Sequence, residues 1–73
     1  MAEPVIVDAR GLSCPEPAML ALNALLKAAS GTLVVLCDNV ASRGNVERSG
    51  SHLGWKSETV EEAGPVFRIT FSK

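Results

Sequence analysis

The sequence predicts an α/β (α+β) two-layer sandwich: a four-stranded mixed sheet with two helices on one face, in the order β-α-β-α-β-β. Three observations lead there. A β-branched run at Val5-Ile6-Val7 precedes a helix-forming stretch and then an apolar run at residues 32–37, which reads as a β-α-β unit. A second, weaker helical stretch follows. The carboxy-terminal third alternates apolar and polar residues across a turn, as a hairpin does. Two helices covering one side of such a sheet is the two-layer solution open to a chain of 73 residues. That length predicts a single domain over residues 1–73.

The first strand, Val5 to Val7, stops at Asp8, and Arg10, Gly11, Leu12 and Ser13 form a short loop. Pro15 and Pro17 fall where a helix begins, a position proline tolerates because the N–H it lacks has no intrahelical partner there. From Ala18 the composition is helical. Leu22, Leu25, Leu26 and Ala29 repeat at i, i+3, i+4, i+7, with Ala18 and Met19 one turn earlier, so this stripe is the expected core face. Gly31 is the expected terminator. Thr32 to Cys37 lacks alternation and suits a strand central in the sheet. Asp38-Asn39 ends it and offers an N-cap to a helix from Val40 to Leu53. Gly44 and Gly50 weaken that helix by about 1 kcal/mol each relative to alanine, and its apolar positions are sparse: Val40, Ala41, Val46 and Leu53. Gly54 closes it, with Trp55 placed to pack back on its end. Trp55 to Glu62 reads as a polar strand, Ala63-Gly64-Pro65 as the turn, and Val66 to Ser72 as a strand with Phe67, Ile69 and Phe71 on one face.

Composition excludes several kinds of function. Hydrophobic residues make up 47%, too many for a disordered chain. Seven basic residues against eight acidic ones leave a net charge of -1, which argues against direct nucleic-acid or anionic-membrane binding by bulk electrostatics. Two cysteines and His52 cannot make a disulfide scaffold or a structural zinc set, so neither a metal nor another cofactor is expected. No apolar run reaches the roughly 18–20 residues that span a bilayer, and Met1-Ala2-Glu3-Pro4 lacks a positive leader, so a reducing cytoplasmic location with free thiols is expected. Ordering so short a chain costs on the order of 100 kcal/mol, which leaves little room for an enclosed pocket. Chemistry is expected at the surface.

Cys14 is the candidate nucleophile. It falls at the N-cap of the first helix, where the helix dipole favours the thiolate, and the flanking prolines hold it off the helix proper. The same prolines remove two first-turn donors. Glu16 opposes thiolate formation and Arg10 can offset it across the loop, and spacing alone does not rank these effects. The bland alternative for Cys14 is a small buried hydrophobe. Cys37, ending a buried strand, is expected to be core. In a right-handed β-α-β unit, however, it and Asp38 arrive at the sheet edge where the first helix starts, so a resolving-thiol role stays open. Arg43 and Arg48 could flank that edge, although two arginines on a helix are usually solvated. His52 is expected to be exposed near a helix end. Glu58, Glu61 and Glu62 read as a soluble strand face.

The stretch Asp8-Ala9-Arg10-Gly11-Leu12-Ser13-Cys14-Pro15-Glu16-Pro17 resembles the signature of the TusA/SirA/YedF family of small sulfur carriers, whose hallmark is C-P-x-P at the start of the first helix. The resemblance covers essentially the whole chain. Asp38-Asn39, Asn45-Val46 and Gly54-Trp55 look closest to the YedF-like branch, whereas TusA-type chains carry an acidic pair and a proline where Cys37-Asp38-Asn39 stands here. The resemblance implies the sandwich fold of the carboxy-terminal domain of translation initiation factor three. It also implies a carrier in which Cys14 accepts sulfur as a persulfide from a cysteine desulfurase or another donor protein and passes it to a downstream acceptor protein. It further implies Arg10, Gly11, Pro15, Glu16 and Pro17 as the supporting motif, with Cys37, Asp38 and Arg43 as a second set near it. YedF-like members add an association with selenium metabolism. Such a carrier acts stoichiometrically with partner enzymes. A single thiol in C-P-E-P argues against dithiol redox catalysis. The competing reading is a non-catalytic regulatory or protein-interaction module of the same fold. RNA binding, resting on fold analogy alone, is the weakest of the three.

Overall fold

The computed structural model describes residues 5–12, 16–62 and 64–73. Ser13, Cys14, Pro15 and the turn residue Ala63 lie outside the described residues. Strands β1 (Val5–Asp8), β2 (Thr32–Cys37), β3 (Lys56–Glu62) and β4 (Val66–Ser72) and helices α1 (Glu16–Ala28) and α2 (Val40–His52) follow the predicted order. The four strands form one sheet in the order β1-β2-β4-β3. β1 runs parallel to β2, with Val7 beside Val35. β4 is antiparallel to both neighbours, pairing Val35 with Ile69 and Thr59 with Ile69. Both helices pack on one face, α1 over β1 and β2, α2 over β2, β4 and β3, and against each other.

The core lies between the layers. Leu33, Val35 and Cys37 from β2 and Phe67, Ile69 and Phe71 from β4 meet Ala21 and Leu25 of α1, Val46 of α2, and Trp55. Phe67, Ile69 and Phe71 share one strand face, as the alternation predicts. β2 is central, which accounts for its unbroken apolar run.

The first helix buries only one edge of the stripe its leucines predict: Leu25 is inside as expected, but in a row with Pro17 and Ala21. Met19, Leu22, Leu26 and Ala29 are exposed. Period counting rewards large side chains, but where two helices and a sheet meet closely Ala21 and Pro17 are buried beside Leu25 in place of the remaining large ones. The terminator also differs: Ala29, at φ 66, takes the left-handed position expected of Gly31. Gly31 instead exchanges backbone hydrogen bonds with Lys73 at 3.1 and 3.0 Å.

The second helix shows the same selection. Asn39 caps it as expected, its Oδ1 accepting from the Ser42 N–H at 2.7 Å. It stops one residue short of expectation, at His52, with Leu53 as the C-cap. Its buried row is Ser42, Val46 and Gly50, whereas Val40 and Ala41 face solvent. Gly50 is a packing residue: a Cβ there would lie 2.1 Å from Cε1 of Phe71. Gly54, at φ 82, reverses the chain, and the Trp55 N–H donates back to the Gly50 carbonyl at 2.9 Å. Trp55 is buried ahead of β3, whose exposed strand begins only at Lys56.

Candidate functional site

Parallel pairing of β1 and β2 brings their carboxyl ends to one sheet edge, where the loop into α1 and the start of α2 also lie. Ala9 continues the ladder, its N–H donating to the Leu36 carbonyl at 2.8 Å. The chain then turns at Arg10 and Gly11, Gly11 adopting φ 77, a conformation that favours glycine.

Charged groups define this turn. The Arg10 guanidinium forks onto Asp8, with Nε 2.8 Å from Oδ1 and Nη2 2.7 Å from Oδ2, and the Arg10 N–H also donates to Oδ1 at 3.1 Å. The side-chain bonds, then the backbone N–H, hold the Asp8 carboxyl at about 2, well below its usual value of 3.8. Asp8, with a smaller contribution from Asp38, raises the Arg10 pKa further. The guanidinium expected to offset Glu16 is therefore engaged by Asp8, two residues away, and Glu16 stands exposed in the first turn of α1. The register explains the engagement: Asp8 ends a strand and Arg10 lies in the tight turn after it, so their side chains meet before either reaches the helix.

Asp38 crosses between the two strand ends. Its Oδ2 accepts from the Gly11 N–H at 2.8 Å, tying the loop before α1 to the loop before α2. Sequence reading placed Asp38 at this edge without its partner. The carboxylate–amide bond needed the strand register to be seen.

Cys37 faces the core and is fully buried. Burial pushes its thiol pKa up, and the charges of Asp38 and Glu47 push the same way against weaker opposing effects of the Asn39 N–H and Arg43. Arg43 sits 5.3 Å over the ring of Phe67, the residue paired with Cys37 across β2 and β4, and its Nε has no hydrogen-bond partner among the described residues. Arg48 turns to Asn45 at 3.4 Å instead of to the edge. Pro17 is buried at the base of α1. Of the residues singled out from sequence, the structure thus gathers Arg10, Gly11, Cys37, Asp38 and Arg43 around the two strand ends, with Glu16 and Pro17 in the helix that follows. Cys14 and Pro15 lie outside the described residues. An open concavity lined by Gly31, Thr32, Gly54, Lys56, Ser72 and Lys73 occupies the other end of the sheet. Among the described residues, no group of three metal-ligating side chains comes together.

Fold and edge together define a small α+β domain that presents a tied loop and a helix start at the ends of two parallel strands. The chain belongs to the TusA family: residues 5–73 match the family described as sulfurtransferase TusA. A solved structure, the SirA-like protein of Desulfitobacterium hafniense, superimposes with a TM-score of 0.86 at 34% identity, covering 93% of this chain and 95% of that one. No match was found among curated proteins.

Proposed function

We propose that this protein is a sulfur carrier whose Cys14 accepts sulfur as a persulfide and hands it on. Membership of the TusA sulfurtransferase family across residues 5–73, with Cys14-Pro15-Glu16-Pro17 at the entry to α1, carries the reading. In the loading step the Cys14 thiolate attacks the outer sulfur of a persulfide on a donor protein such as a cysteine desulfurase. A new S–S bond forms on Cys14, the donor's S–S bond breaks, and the donor cysteine leaves as thiolate, so no external oxidant is needed. Delivery to an acceptor protein follows by the same exchange.

The surroundings suit this role. The Asp38 carboxylate ties down Gly11, three residues before Cys14 in the sequence. Arg10 and Arg43 contribute positive charge near the edge, although Asp8 neutralises much of the former. Specificity would come from protein docking around the loop, which is why a carrier of this kind works without an enclosed pocket. Asp38-Asn39 and Gly54-Trp55 favour the YedF-like branch, where selenium is an alternative cargo, and a cytoplasmic location fits free thiols.

The test is mass spectrometry after incubation with a cysteine desulfurase and cysteine. Cys14 should gain one sulfur atom, released by reductant. Cys37→Ser should load normally and Cys14→Ser should not. Loading of Cys14→Ser would remove Cys14 from the role, and an unloaded wild type would leave the non-catalytic interaction module as the reading.

A further inference from the structure

Of the stripe that sequence periodicity assigns to the core, Leu25 is buried, whereas Met19, Leu22 and Leu26 are on the outside of the molecule. Met19, Leu22 and Leu26 are 57%, 36% and 59% exposed. At about 100° per residue these three fall within roughly 60° of one another around α1, well separated from the buried row of Pro17, Ala21 and Leu25. Val5, Ile6, Val40 and Val60 are also exposed but lie on other elements, and Leu20, the other exposed leucine of α1, falls by helix geometry on the flank of Glu16 and Lys27. Three large apolar side chains aligned on one 13-residue helix form a face that calls for a partner.

The charges on α1 say which partner. Glu16 in its first turn and Lys27 in its last are its only charged residues. By helix geometry they lie on the same flank, within about 20° of each other and roughly a quarter turn from the centre of the apolar row. Two copies of α1 packed antiparallel about a two-fold axis near Leu22 bring like flanks together, so each Glu16 meets Lys27 of the second copy. The same register sets Met19 across from Leu26 of the second copy, and Leu22 across from its own equivalent. A parallel pairing would place the like charges of the two helices level with one another. The face is therefore self-complementary in both apolar pattern and charge.

We infer that this protein self-associates into an isologous dimer through the outer face of α1, with Met19, Leu22 and Leu26 as the seam and reciprocal Glu16–Lys27 pairs at its ends. One helix pair about 20 Å long buries on the order of 400–500 Å² per copy, at the small end of specific interfaces, so the dimer is weak and reversible. Because Glu16 and Pro17 of C-P-E-P open α1, dimer and monomer differ in what surrounds that end of the helix.

Sedimentation velocity over a concentration series reaching about 1 mM tests this, since an interface of that size dissociates in the micromolar-to-millimolar range. The wild type should shift from monomer to dimer. Leu26→Asp should abolish the shift while its circular dichroism and thermal midpoint stay near wild type, because residue 26 is exposed. Glu16→Lys and Lys27→Glu should each weaken association about tenfold, since two-fold symmetry turns both contacts into like-charge pairs. The double variant should return to within about threefold of wild type. A wild type that stays monomeric overturns the proposal and assigns the face to another protein. So does a dimer that survives Leu26→Asp, or a double variant no better than the singles.

Discussion

Replacing Gly50 by alanine sets helix propensity directly against packing. On propensity alone, the change, in the last turn of α2, should stabilise the helix by up to about 1 kcal/mol. The structure reverses the sign. The new Cβ would lie 2.1 Å from Cε1, 2.6 Å from Cδ1 and 3.0 Å from Cζ of Phe71, a ring that is itself fully buried. Carbon atoms in contact prefer about 3.5–4.0 Å, so ring and helix must separate by more than an ångström. Overpacking of this kind costs about 1–3 kcal/mol, occasionally more, and the propensity gain offsets only part of it. A clash this close belongs at the upper end of that range, leaving a net loss of about 2 kcal/mol, and at about 4–8 °C per kcal/mol for a domain of this size a fall of roughly 8–16 °C is expected. Gly44, in the same helix, has nothing within 4 Å of its virtual Cβ and is the control. Gly44→Ala should hold or raise the midpoint by a few degrees. Thermal unfolding followed by circular dichroism, with urea midpoints alongside, measures both. Adding Phe71→Leu to Gly50→Ala should cost less than the two changes summed, because the smaller side chain makes room. A Gly50→Ala protein as stable as wild type would refute the claim that α2 touches β4 at this point.

The Cys37 thiol and the Asp8 pair yield further expectations. In a Cys14→Ser background, Cys37 should react with an alkylating agent about a thousandfold more slowly than a small free thiol at neutral pH, since exposure requires opening the core. Ready reaction without denaturant would contradict its burial. Its raised folded pKa means the associated stabilisation is present below the unfolded thiol value and lost as pH climbs through the alkaline range above it. Asp8 behaves in the opposite sense. Its folded pKa of about 2 lies below the ordinary 3.8, so the pair's contribution is present above the ordinary value and is lost as pH falls toward 2. A carbon-detected NMR titration should give a midpoint near 2 for Asp8, and Arg10→Gln should return it toward 3.8. An ordinary midpoint in the wild type would mean the fork does not persist in solution.

Sequence alone carried the element order, the central place of β2, the inward Phe67, Ile69 and Phe71, the Asn39 cap and the closing Gly54-Trp55. Each is a local property: β-branching, period-two alternation, a capping side chain, a glycine that can take positive φ. It also carried the C-P-E-P resemblance, because a motif is a matter of adjacency. Only the tertiary structure decided which side of each helix is buried. α1 turns Pro17, Ala21 and Leu25 inward and leaves Met19, Leu22 and Leu26 outside, while α2 turns in Ser42, Val46 and Gly50. Periodicity found Leu25 and Val46, but a face against two neighbours is also chosen by how closely backbones can approach, which is why Ala21, Ser42 and Gly50 are buried beside them. The edge follows the same division. Asp38 and Arg10 were visible as charges near two strand ends, and the Arg10–Asp8 fork is local, but the bond from the Gly11 amide to Asp38 depends on β1 and β2 lying side by side in parallel register. That register is a contact between residues nearly thirty positions apart, and no local pattern encodes it.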